Sequence, residues 1–275
     1  MPRNKPLPFF GILILFVILI IVIAIKLGTR ARDPEEIAIN LQSGIAYLQA
    51  LEDADPGPVE NKLKEQRQLE MKQLREERLN QLLTGEVSVW TMFEDYVLLG
   101  DSRAVGYEYY EFLDQDRVIA EGGATIRDLS NSIPDIKALN PSYIFLCYGL
   151  NDVSIGYWNT PEEYVTEFKS VLQDIHRELP DAKVFVSSIL IARDPAFELS
   201  SAWYNIPEYS AAVGEMCDTM EHVYFVDNAD ISETYADLWD SDGIHLNKEF
   251  YPYWAANMIM EVYDSELEQS EDPAA

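Results

Sequence analysis

From Tyr96 onward the chain alternates short, wholly apolar runs with longer helix-periodic stretches, and that alternation limits its fold more than any other feature. Residues 96–99, 118–120, 143–147, 184–186 and 223–226 are too short for helices and too uniformly apolar for half-exposed strands. Helical periodicity fills the gaps at 105–113, 126–139 with an interruption at Pro134, 161–179, 206–220 and 248–264. Five successive β-then-α units predict a five-stranded parallel sheet with helices on both faces. In such sheets ligands bind beyond the carboxyl ends of the strands, near the point where strand order reverses. The chemistry is therefore expected just after the strands.

Four short segments there carry it. Gly100-Asp101-Ser102 follows the first run and puts a serine at a strand end, with its N–H at a predicted helix N-terminus. Alone, the tripeptide also reads as a plain helix cap. Gly122 and Gly123 follow the second run; they suit a turn, and also let a backbone N–H approach a substrate closely. Gly149, Asn151 and Asp152 follow the third, where a carboxamide suits an oxyanion donor as well as an Asx-turn. Near the C-terminus, His245 stands three residues after Asp242 with Gly243 between them. That spacing lets a carboxylate reach Nδ1 and leaves Nε2 to take a proton from a serine. Asp240 competes for the carboxylate role.

In this order the four segments resemble the SGNH (GDSL-type) hydrolase family, from Tyr96 to the last helix. Gly100-Asp101-Ser102 matches the first family block, Gly123 the second, Gly149-x-Asn151-Asp152 the third and Asp242-x-x-His245 the fourth. The resemblance implies a flavodoxin-like three-layer α/β/α sandwich and ester hydrolysis without a cofactor. It implies catalytic Ser102, His245 and Asp242, with an oxyanion hole from the N–H groups of Ser102 and Gly123 and the side chain of Asn151. Arg103 stands where the family usually continues with apolar residues, which bears on substrate more than on chemistry. The family's frequent work on acetylated glycans favours a carbohydrate O-acetylesterase. A lipid esterase and an O-acyltransferase would use the same triad, and a non-enzymatic binding protein would predict a broken one. Tyr107, Tyr109, Tyr110, Trp158, Trp203 and Tyr204 lie where they suit sugar stacking or rim packing.

Two segments of different character precede this domain, which is expected to span 87–275 with an acidic tail. Residues 9–25 are an unbroken apolar run of 17 residues with no small-x-small cleavage site after it. Residues 1–32 are accordingly expected to form a cytoplasmic tip and a single transmembrane anchor in the cell membrane. Arg3 and Lys5 precede the run while Lys26, Arg30 and Arg32 follow it, so charge alone leaves the orientation open. Arg3 and Lys5 held in the cytoplasm would put the catalytic domain outside. Residues 33–86 predict a juxtamembrane helical hairpin, with Ile37, Leu41, Ile45, Leu48 and Leu51 on one face of the first helix. The second helix carries a thin stripe of Leu63, Met71, Leu74 and Leu82. It suits a solvated helix packed on its neighbour or a weak homodimer, although Arg67 and Arg78 interrupt the heptads.

The net charge is −28, and residues 1–32 contain no acid, so the remainder is more acidic still. Such a surface repels nucleic acid, which is excluded as a partner. The three histidines, His176, His222 and His245, are neither clustered nor four apart, and no metal is expected.

Overall fold

A computed structural model describes residues 17–22, 34–52 and 55–271. The chain forms two compact units, Met1–Leu69 and Glu70–Ala275. In the first, residues 17–22 are helical and α1 (Pro34–Glu52) is followed by the start of α2 (Gly57–Leu83). Most of the expected membrane anchor lies outside the described residues, among which no helix is long and apolar enough to cross a membrane.

The second unit begins inside α2, earlier in the chain than composition alone suggests. The last turns of α2 bury Leu82, and Arg75 Nε donates to Asp264 Oδ2 at 2.6 Å. The Arg78 guanidinium lies 5.7 Å from the centre of the Tyr263 ring. Of the two arginines that interrupt the heptads, Arg78 thus packs within the hydrolase-like unit.

The sheet comprises β1 (Tyr96–Gly100), β2 (Val118–Ala120), β3 (Tyr143–Cys147), β4 (Lys183–Ser187) and β5 (Val223–Val226). All pairings are parallel and the order is β2-β1-β3-β4-β5. This is the flavodoxin-like order, in which the direction of winding reverses beside β1. Alternate residues serve opposite faces. Val97, Leu99, Ile144, Leu146, Val184 and Val186 join one core, and Leu98, Phe145 and Phe185 the other.

The first core is covered by α4 (Ile126–Leu139), α6 (Pro161–Glu178) and α7 (Ile206–Cys217). The second is covered by α3 (Gly106–Tyr109), by α9 (Tyr251–Glu271) and by Leu79 and Leu82 of α2. Two further short helices, α5 (Leu150–Ile155) and α8 (Ala229–Thr234), follow β3 and β5.

Two expectations need correction. Pro134 does not interrupt α4, because Ile126, Leu129 and Ile136 bury one continuous face and a Thr125–Asp128 capping box secures its start. The helix expected at 105–113 shrinks to the single turn of α3. Glu111, at φ 59°, turns the chain back, and Phe112 N donates to Tyr107 O at 2.9 Å.

Candidate active site

Ser102 stands in a tight turn, not at a helix start. Ala104 N donates to Asp101 O at 2.9 Å, and Arg103 N to Asp101 Oδ1 at 3.0 Å. Gly100 is required by close approach: a Cβ there would lie 2.5 Å from Cys147 O and 2.6 Å from Ala104 Cβ. The turn is held from behind. Arg103 is buried, its Nη1 donates to Leu190 O at 2.6 Å, and the Tyr251 hydroxyl donates to Arg103 O at 2.8 Å. Arg103 is therefore an internal strut beneath the serine, and its side chain does not face a substrate.

The fourth segment closes on this turn. His245 Nε2 lies 3.2 Å from Ser102 Oγ, and His245 Nδ1 lies 2.6 Å from Asp242 Oδ2. The other Asp242 oxygen accepts Ile244 N at 2.8 Å and His245 N at 2.9 Å. With a carboxylate against Nδ1, the imidazole proton sits there and Nε2 presents its lone pair to the serine. Burial works against the Asp242 charge, but the hydrogen bonds from the His245 ring and the two backbone N–H groups outweigh it. Its carboxyl is held below the ordinary value. The competitor Asp240 turns away, with Oδ1 accepting Ser241 N at 2.6 Å. Gly243 makes the bend at φ 72°, where a Cβ would lie 2.1 Å from Arg193 O.

The second and third segments are tied to each other. Asn151 Nδ2 donates to Ala124 O at 3.0 Å, and Ile126 N donates to Asp152 Oδ1 at 2.9 Å. Gly123 lies between the β2 end and these ties, exposed, with open space where a side chain would be. The N–H groups of Ser102 and Gly123 and the carboxamide of Asn151 follow β1, β2 and β3, which are neighbours in the sheet. All the predicted site residues thus gather on one rim.

Sequence reasoning missed Asp152 as an anchor. It is 1% exposed, and burial raises its carboxyl from 3.8 to about 7 despite the Ile126 N–H. Its place directly after Asn151 was the available signal. Among the described residues no group of three or more His, Cys, Asp or Glu is arranged to hold a metal.

Such a constellation activates a hydroxyl as a nucleophile and offers N–H donors to an oxyanion. Residues 98–252 match the family of GDSL-like lipases and acylhydrolases. Among solved structures, a GDSL-like lipase from Bacteroides thetaiotaomicron is 17% identical, with a TM-score of 0.50 over 62% of this chain and 88% of that one. A carbohydrate esterase of family 3 from Talaromyces cellulolyticus is 18% identical, with a TM-score of 0.48 over 63% and 98%. The catalytic domain of peptidoglycan O-acetyltransferase A from Streptococcus pneumoniae is 15% identical, with a TM-score of 0.45 over 65% and 95%. At 17% identity the first is a likeness of fold. No curated protein matches the chain.

Proposed function

The chain belongs to the GDSL-like lipase/acylhydrolase family, a family of carboxylic ester hydrolases, and from that premise we propose that it is a serine esterase removing small acyl groups, acetyl above all, from cell-surface glycans. The apolar run at 9–25 would tether it to the cell membrane with its catalytic unit outside.

The observation that carries the proposal is the unbroken chain of contacts from Asp242 through His245 to Ser102. Ser102 Oγ bonds to the ester carbonyl carbon while His245 Nε2 takes the hydroxyl proton. Asp242 keeps the imidazole in the required tautomer and stabilises the imidazolium. The tetrahedral oxyanion is received by the N–H groups of Ser102 and Gly123 and by Asn151 Nδ2, which keeps a second proton beyond the one given to Ala124 O. Collapse breaks the ester C–O bond, and the leaving alcohol takes the proton from His245. Water then attacks the acyl-serine with His245 again as base, releasing the acid.

The His245 and Asp242 side chains are 47% and 42% exposed, so the site is an open rim that suits a bulky leaving group such as a sugar. Hydrolysis of p-nitrophenyl esters from acetate to octanoate, by wild type and Ser102→Ala, tests the proposal. Turnover of the acetate that vanishes in the variant is expected; equal rates would refute the assignment. A sugar acceptor that diverts the acetyl group from water would make the enzyme a transferase.

A further inference from the structure

The segment joining β4 to α7 crosses the rim between the loops that carry Asn151 and His245, and two ties fix its path. Trp203 Nε1 donates to Leu150 O at 2.8 Å, one residue before Asn151. Arg193 N donates to Gly243 O at 2.8 Å, between Asp242 and His245. The segment includes two 3-10 turns, Ala196–Glu198 after the first tie in sequence and Ser201–Asn205, which carries Trp203. They bring the rings of Phe197 and Tyr204 face to face, with centroids 4.0 Å apart and planes 7° from parallel. Tyr204 is nevertheless 63% exposed, so with one face on Phe197 the other is open to solvent.

We propose that Phe197 and Tyr204 form a sugar-stacking subsite, in which the open face of Tyr204 carries a pyranose ring of the glycan whose ester is presented to Ser102. The proposal rests on the esterase function above and adds what that function leaves unassigned, a residue that recognises the carbohydrate. An aromatic face turned to water is uncompensated apolar surface, and the C–H face of a pyranose is a flat apolar counterpart to its negative π-cloud. Backing by Phe197 fixes the plane of the ring, so little side-chain freedom remains to be lost on binding. A neutral glycan also meets no electrostatic penalty on so acidic a protein. A long acyl chain, in contrast, is held by a concave groove that surrounds it.

Among the aromatic residues that the sequence places near the rim, the others do not offer this surface. Tyr107, Trp158 and Trp203 are buried. Tyr109 is exposed but meets Tyr110 edge-on, at 75°.

The test compares full-length wild type with Tyr204→Ala, Tyr204→Phe and Tyr109→Ala. Substrates are p-nitrophenyl acetate, p-nitrophenyl octanoate and partially O-acetylated xylo- and chito-oligosaccharides of four to six units. The readout is kcat/KM for glycan divided by kcat/KM for p-nitrophenyl acetate. That ratio should fall about tenfold or more in Tyr204→Ala through a raised glycan KM, recover in Tyr204→Phe, and keep its wild-type value in Tyr109→Ala. An unchanged ratio in Tyr204→Ala overturns the subsite. So does a wild type that cleaves the acetate but none of the oligosaccharides, or a Tyr204→Ala defect confined to the octanoate; in these cases the esterase stands. A wild type inactive on every ester overturns the esterase itself, and the subsite with it.

Discussion

Replacing Asp152 by Asn isolates the free energy stored in one buried carboxyl. Asp152 is 1% exposed; Oδ1 accepts the Ile126 N–H, and Oδ2 has no hydrogen-bond partner among the described residues. Burial raises its carboxyl from 3.8 to about 7, with the neighbouring Asp101 adding to the effect. Below about pH 4 the group is protonated in both folded and unfolded chains. Between that point and about pH 7 the folded chain holds the proton more tightly, so stability falls as pH rises through this window and levels off above it. The raise of about three pH units, at about 1.4 kcal/mol each, makes the total loss about 4 kcal/mol, of which about 3 kcal/mol falls between pH 5 and pH 8.5. Asparagine keeps an acceptor for Ile126 N and never ionises. Urea denaturation at both pH values should therefore show Asp152→Asn gaining about 3 kcal/mol on wild type between pH 5 and pH 8.5. A wild-type-minus-variant difference that is the same at both pH values would refute the reasoning, since a purely steric role for Asp152 has no pH dependence.

Two changes at the site have separable signatures. Asp242→Asn loses the carboxylate on Nδ1 and should lower kcat about 10²- to 10⁴-fold with little change in KM for p-nitrophenyl acetate; a rate within tenfold of wild type would mean that another group orients His245. Asn151→Ala removes the proposed oxyanion donor and should cost kcat about 10²- to 10³-fold, read by steady-state kinetics beside a thermal melt; a full kcat would exclude Asn151 from the oxyanion hole.

The sheet was legible because each strand is buried on both faces, and such strands spell themselves as unbroken apolar runs. That Ser102, Gly123 and Asn151 lie on one rim was legible because strand ends in a parallel sheet share that rim, so residues far apart in sequence can be placed together without knowing any contact. The choice of Asp242 over Asp240 rests in the sequence on the family block alone, for by spacing both are near enough. The structure separates them through the backbone N–H groups of Ile244 and His245, which both point at Asp242. Arg103 was misjudged as a mark on substrate choice because a charged residue after the serine looks external. Its partner, Leu190 O, is 87 residues away, and long-range backbone acceptors leave no trace in composition. The short helices α5 and α8, of six residues each, carry too little periodicity to be seen.

Ser102 and His245 are separated by 143 residues, one after the first strand and the other after the last. At about 5–20 residues per second, a ribosome needs roughly 7 to 30 s to travel between them. Throughout that interval the nascent chain carries Ser102 without the imidazole that contacts it, and α9, whose Tyr251 braces the serine turn, comes later still. On the proposed mechanism the position of the histidine thus works as a timer on synthesis: hydrolysis waits until His245 and the helix that follows it have been made.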